Sequence, residues 1–190
     1  MSRILEYPFT AAKVRSLKAG QRVCVSGLIF TGRDKFHRYL FHGGKAPANL
    51  ADGAIFHAGP VMGRKNGKWI VLSAGPTTSA RMDAYMPRLI EQHRIRVIIG
   101  KGGMGEATRQ ACARHGCVYL EAVGGAAVTV AQCVREVSGV HLLAEFGEAE
   151  AVWELKLKGL KAVVAIDAAG RSLHKRVRQS SKRMLGKMLK

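Results

Sequence analysis

Short apolar runs closed by glycine alternate along this chain with segments of helical periodicity. Residues 22–30, 54–58, 69–74, 96–99, 117–121, 137–146, 152–157 and 162–167 read as strands or strand-like, rich in β-branched side chains. Helices are predicted over residues 10–17, capped by Thr10 and ended at Ala19-Gly20, and over residues 106–115. Asn66-Gly67 before the strand at Trp69 signals a hairpin, and Pro87 splits the helical pattern that follows residue 77. Gly124-Gly125-Ala126-Ala127 opens another helix, built of small residues. Repeated strand–glycine–helix units predict an α/β fold, a single domain with a largely parallel central sheet.

With 190 residues and 47% apolar content the chain can bury one substantial core. It has no run of about 18 apolar residues, and residues 1–9 are interrupted by Arg3 and Glu6, so neither a membrane span nor a secretory signal is expected and the predicted location is the cytoplasm. Cys24, Cys112, Cys117 and Cys133 show no disulfide or C-x-x-C spacing and are read as core residues; no metal site is expected in this chain. The net charge of +18 is uneven: residues 171–190 carry eight Lys/Arg and no acid, which leaves 23 basic against 13 acidic residues before them. Residues 1–170 are therefore read as the domain and 171–190 as a basic tail. Positive charge suits nucleic acid, an anionic substrate or an acidic partner; 6% aromatics is too sparse for a single-strand stacking platform, and nucleic acid is not the expected partner, but a basic nucleic-acid-binding module built on the charge and the tail stands as an alternative of a different class.

Three polar corners hold the candidate chemistry. In Gly75-Pro76-Thr77-Thr78-Ser79-Ala80-Arg81, a helix starting at about Thr77 would set Thr77 and Arg81 one turn apart over its N-terminus, although Thr-Thr-Ser before a helix is also an ordinary cap. Residues 31–40 read as a turn opening a helix on which Arg33 and His37 share one face and Asp34 and Arg38 the next, equally well a surface helix with an i,i+4 ion pair. His57 is read as structural. The third corner, Gly100-Lys101-Gly102-Gly103-Met104-Gly105, matches the dinucleotide fingerprint G-x-G-x-x-G, with Glu121 where a ribose-binding acid could sit; a nicotinamide cofactor is thus an alternative. Against it, the unit lies mid-chain and Lys101 projects a charge from the loop. Loops at strand ends of a parallel sheet gather at one edge, so Arg33, Arg81, Lys101 and Thr77 could converge; three cations and a hydroxyl suit a small dicarboxylate.

Gly32-Arg33-Asp34 with His37, Ala54-Ile55-Phe56-His57-Ala58-Gly59-Pro60, Gly75-Pro76-Thr77-Thr78-Ser79 with Arg81-Met82, and Gly100-Lys101-Gly102-Gly103-Met104-Gly105 together resemble, over residues 10–170, the β subunit of iron–sulfur hydro-lyases. That family comprises class I fumarases and L(+)-tartrate dehydratases. The resemblance implies a swivelling β/β/α domain and a missing half: an α subunit whose three cysteines hold a [4Fe–4S] cluster, with an α₂β₂ assembly. It implies further that Thr77 takes or returns the C3 proton of a small dicarboxylate, that Arg33, Arg81 and Lys101 hold its carboxylates, and that Asp34, His37 and Thr78 support them. Fumarate hydration is the favoured activity, with tartrate dehydration the alternative. Two departures from the family pattern, around residues 147–153 and 159–161, are expected to lie away from the site, and the basic tail matches no motif.

Overall fold

A computed structural model describes residues 2–189; Met1 and Lys190, the outer ends of the two predicted segments, lie outside the described residues. The chain runs through β1 (Arg3–Glu6), α1 (Ala11–Arg15), β2 (Arg22–Thr31), α2 (Asp34–Phe41), β3 (Ala54–Phe56), β4 (Val61–Lys65), β5 (Lys68–Ser73), a 3-10 turn (Ser79–Met82), α3 (Met86–His93), β6 (Val97–Gly100), α4 (Glu106–His115), β7 (Val118–Ala122), α5 (Ala127–Ala131), β8 (Val134–His141), α6 (Leu143–Phe146), β9 (Val152–Ile166) and α7 (Leu173–Met188). Thr10 caps α1 by accepting from Lys13 N–H, and Pro87 sits in the first turn of α3, as the sequence predicts. Asn66 and Gly67, both at positive φ, turn the β4–β5 hairpin.

The sheet is mixed, which corrects the expectation of a largely parallel one. β1, β2, β3, β6 and β7 pair in parallel, but β9 runs antiparallel to β2 on one edge and to β8 and then β7 on the other. Pairing of β2 with β9 closes β2, β3, β6, β7 and β9 into a five-stranded barrel. The two strands predicted over 152–157 and 162–167 are this single 15-residue strand. Its Lys158-Gly159-Leu160-Lys161 stretch reads locally as a break, yet Gly159, at φ +81°, stays in the strand and donates its N–H to Ser26 Oγ.

β3 and β6 are buried on both faces and β7 nearly so, while β2 and β9 alternate buried with half-buried or exposed positions; the two faces of the inner strands meet different layers. Val97, Ile99, Val118, Leu120, Leu155 and Trp153 belong to one cluster; Ile55, Ile98 and Tyr119 turn the other way, onto Met86, Leu89, Ala111 and Cys112 of α3 and α4. Cys112 and Cys117 are buried in the second cluster, whereas Cys24 and Cys133 are only half-buried. Because β2, β3 and β6 are parallel, their carboxyl ends open at one edge, and the chain leaves that edge at Arg33, His57 and Lys101.

Candidate active site

Residues 76–79 cross that edge as a short extended bridge. Ala58 pairs with Pro76 and Thr78 with Lys101; Thr77 N–H donates to His57 O at 2.6 Å, Lys101 N–H to Thr77 O at 3.2 Å and Ser79 N–H to Lys101 O at 3.1 Å. These bonds correct the expected helix start at Thr77: the backbone there is satisfied by two strand ends, and the only helical turn is the 3-10 segment from Ser79. Thr77 therefore caps nothing, and Thr78, at the cap position, makes no side-chain cap bond.

Thr77 and Arg81 are nonetheless together. Arg81 Nη2 donates to Thr77 Oγ1 at 2.7 Å, and the same guanidinium grips Asp34 with two bonds of 3.0 Å, through Nε to Oδ1 and Nη2 to Oδ2. Asp34 thus pairs with a residue 47 positions away and not with Arg38, the i,i+4 partner expected from sequence. The fork fixes the guanidinium, so the remaining N–H on Nη2 is aimed at the threonine oxygen.

Arg33 occupies the cap position of α2, next to Asp34, and its chain lies over Gly59, where a Cβ would collide with Arg33 Nη1 and Cδ. Its Nε stands 3.4 Å from Glu150 Oε1, an ion pair that leaves this buried nitrogen without a hydrogen bond. Glu150 lies in the departure segment expected to avoid the site; it reaches the site, and it also accepts from Lys35 N–H at 3.0 Å. Both arginines are thus paired with carboxylates of their own chain, while Lys101, exposed, has no acidic partner among the described residues.

Beneath this surface lie two buried imidazoles. His37 Nδ1 is 2.7 Å from Arg33 O, which can only accept, so Nδ1 carries the proton. Burial is the largest influence on His37 and pushes its pKa down to about 4, outweighing that hydrogen bond and Asp34. His57, 4.9 Å from His37 between ring centres, is lowered well below the usual range by burial first, then by His37 and Arg81. Both are neutral at pH 7, and both leave a buried Nε2 without a partner. His57 is structural, as the sequence suggests: its Nδ1 lies 2.9 Å from Ser79 Oγ and its carbonyl holds Thr77, which makes it part of the framework of the site.

The glycine loop is used for close packing. A Cβ at Gly100 would strike Ser79 Oγ and one at Gly105 would strike Asp83, whose Oδ1 accepts from Gly105 N–H at 2.8 Å and Thr108 Oγ1 at 2.7 Å. Glu121, weighed as a ribose-binding acid, accepts from Gly102 N–H at 3.1 Å and lies 2.6 Å from His174 Nε2 of α7. The fingerprint is thus occupied by internal contacts at its glycines and its acid, which removes the ground for the nicotinamide alternative.

A family model described as Fumarase C-terminus matches residues 3–177. The chain belongs to the fumarase C-terminus family. This member is 47% identical over 178 residues to a protein of Geobacillus stearothermophilus named as an inferred class I fumarate hydratase, a match covering 93% of this chain but only 34% of that protein. It is 37% identical to the L(+)-tartrate dehydratase subunit beta of Escherichia coli, covering 91% of this chain and 87% of that subunit. A Methanocaldococcus jannaschii protein named as an inferred tartrate dehydratase subunit beta is 37% identical, with 97% and 99% covered. The chain therefore spans about a third of the hydratase and nearly the whole of the two subunits.

The thiols of this family member do not suit an iron–sulfur cluster. Cys112 and Cys117 are sealed in the core, where burial foremost pushes the Cys117 thiol well up, and burial raises Cys133 too, so the thiolate form that a cluster needs is disfavoured. Among the described residues no group of three or more His, Cys, Asp and Glu is arranged to hold a metal. None of the described helices is long and apolar enough to cross a membrane.

Proposed function

We propose that the chain is the β subunit of a hydro-lyase that removes and adds water across a small dicarboxylate, in the cytoplasm. The observation that carries the reading is the hydrogen bond from Arg81 Nη2 to Thr77 Oγ1. An isolated threonine hydroxyl is far too weak an acid to serve as a base; a guanidinium donating to its oxygen favours the alkoxide, and a low-dielectric surrounding would strengthen that preference. In this reading Thr77 Oγ1 takes the proton from C3 during dehydration and returns it during hydration. Arg81 keeps Nη1 free of the bonds to Asp34 and Thr77; with Lys101 and the terminal nitrogens of Arg33 it holds the substrate carboxylates and the charge that develops on them. Asp34 orients Arg81, and His37 supports Arg33 through its carbonyl. Thr78, exposed, lines the approach.

Thr78, Arg81 and Lys101 are all exposed, so on its own this edge has no wall to exclude water. That openness supports a site completed by a second subunit, most simply in an α₂β₂ assembly. The three-thiolate site for a [4Fe–4S] cluster would lie in that α subunit, and Lewis acidity toward the departing hydroxyl is the chemistry the cluster would supply there. The substrate has two supported readings. Higher identity to the hydratase favours fumarate and (S)-malate; likeness in length to the two tartrate subunits favours L(+)-tartrate. Turnover of malate, fumarate and tartrate by the purified two-subunit enzyme decides between them, and no turnover of any dicarboxylate would refute the reading.

A further inference from the structure

All four main-chain polar groups of Lys101 and Gly102 are paired, and two of the partners are side chains on β7. Lys101 N–H and carbonyl are bonded to Thr77 O and Ser79 N–H, the extended bridge already described. Gly102 N–H donates to Glu121 Oε1 at 3.1 Å, and Gly102 carbonyl accepts from the Tyr119 hydroxyl at 2.6 Å. Gly102 has φ +73°, in the left-handed region, so its N–H and its carbonyl need partners of their own where the strand ladder stops. Tyr119 and Glu121, two residues apart on one strand, share a face and hold Gly102 by its carbonyl and its N–H, the polar groups of the two peptide units on either side of its Cα.

Proton accounting gives the tyrosine hydroxyl its direction. The Gly102 carbonyl can only accept, so the single phenol proton lies there. Ser79 Oγ, 3.1 Å from Tyr119 Oη, then donates to the phenol oxygen, and His57 Nδ1, 2.9 Å away, donates to Ser79. The result is one directed chain from His57 through Ser79 and Tyr119 to the Gly102 carbonyl. Burial, the largest influence on Tyr119, raises its pKa and keeps the proton on. The second oxygen of Glu121 is held by His174, so the first turn of α7 is tied into the same anchor.

We infer that Tyr119 and Glu121 are positioning residues: by holding Gly102 at its N–H and its carbonyl they fix the backbone of Lys101 and so the place of its ammonium relative to Thr77. The inference rests on the reading of Lys101 as a substrate-binding cation. Neither side chain touches the substrate. The Tyr119 ring is core, packed with Ile98 and Ile166 in the same cluster, and only its hydroxyl serves the loop.

The test is a double-mutant cycle in the assembled two-subunit enzyme, with Tyr119→Phe, Glu121→Ala, Glu121→Gln and Lys101→Ala, each also followed by amide exchange over residues 100–105. Tyr119→Phe and Glu121→Ala should lower kcat/KM at least about tenfold and speed exchange of the loop amides, while Glu121→Gln, whose side-chain oxygen still accepts from Gly102, stays within about threefold. In a Lys101→Ala background the Tyr119→Phe loss should largely vanish, because there is no ammonium left to place. A costly Lys101→Ala beside neutral Tyr119→Phe and Glu121→Ala would overturn the positioning role and leave the reading of Lys101 standing. Additive losses from Tyr119→Phe and Lys101→Ala would overturn it as well. A Lys101→Ala variant of wild-type kcat/KM would remove the reading of Lys101, and this inference with it.

Discussion

Arg81 Nη2 stands 2.7 Å from Thr77 Oγ1 while the same guanidinium is clamped on Asp34 by two bonds of 3.0 Å. A hydroxyl four residues from an arginine could be a helix cap, but here the Thr77 backbone is extended and bonded to His57 and Lys101, so its hydroxyl has no capping duty. Thr77→Ala should therefore move the melting temperature by no more than a few degrees, since one partly exposed hydrogen bond contributes about 1 kcal/mol, while turnover by the assembled enzyme falls by orders of magnitude. Calorimetry and initial rates on one preparation check both halves. Activity within about tenfold of wild type would leave Thr77 without a chemical role.

Asp34 separates two views of the guanidinium. If Asp34 aims Arg81 at Thr77, Asp34→Asn frees the fork and kcat drops at least about tenfold with KM little changed. If Asp34 only competes with substrate for Arg81, the same variant binds substrate more tightly and KM falls. Steady-state kinetics of Asp34→Asn distinguishes them.

Acid sensitivity follows from His37 and His57. Both are buried and neutral, and burial lowers the pKa of His37 from the 6.5 of a free imidazole to about 4, so between those values the unfolded chain binds the extra proton. Stability is complete above the unfolded value and is lost as pH falls through the window from 6.5 toward 4. The depression at His37 corresponds to about 3 kcal/mol, an order of magnitude large enough to matter for a domain of ordinary stability. Denaturant titrations at pH 7 and pH 5 should show it, and His37→Gln should flatten the difference; an equally steep loss in that variant would assign the acid sensitivity elsewhere.

Local signals carried much of this structure. The Thr10 cap, the Asn66-Gly67 hairpin, the Pro87 boundary and the 106–115 helix each depend on residues within a few positions, and each stands where its residues imply. The convergence of Arg33, Thr77, Arg81 and Lys101 on one edge was legible too, because β2, β3 and β6 are parallel. What was not legible is long-range. Pro76 to Ser79 is drawn into an extended bridge by His57 and Lys101, about twenty residues away on either side, which overrides the helix-start chemistry of Thr-Thr-Ser. Closure of the barrel by β9 depends on pairing between Arg22 and Val163, with nothing local to announce it. Glu150 reaches Arg33 from a segment whose pattern gave no hint of a site, and the isolated basic tail proves to be a helix whose His174 meets Glu121.

On the proposed function this chain is half of a hydro-lyase: it would bind the dicarboxylate and handle the C3 proton, and its partner would activate the leaving hydroxyl. The direct measurement is iron and sulfide content together with absorbance change at the fumarate band, for this chain alone, for the α subunit alone with its cluster reconstituted anaerobically, and for the mixture. The account predicts an iron-free, inactive chain, an inactive α subunit, and an oxygen-sensitive activity that appears only in the mixture and disappears with Thr77→Ala. Turnover by this chain alone, without iron, would contradict it.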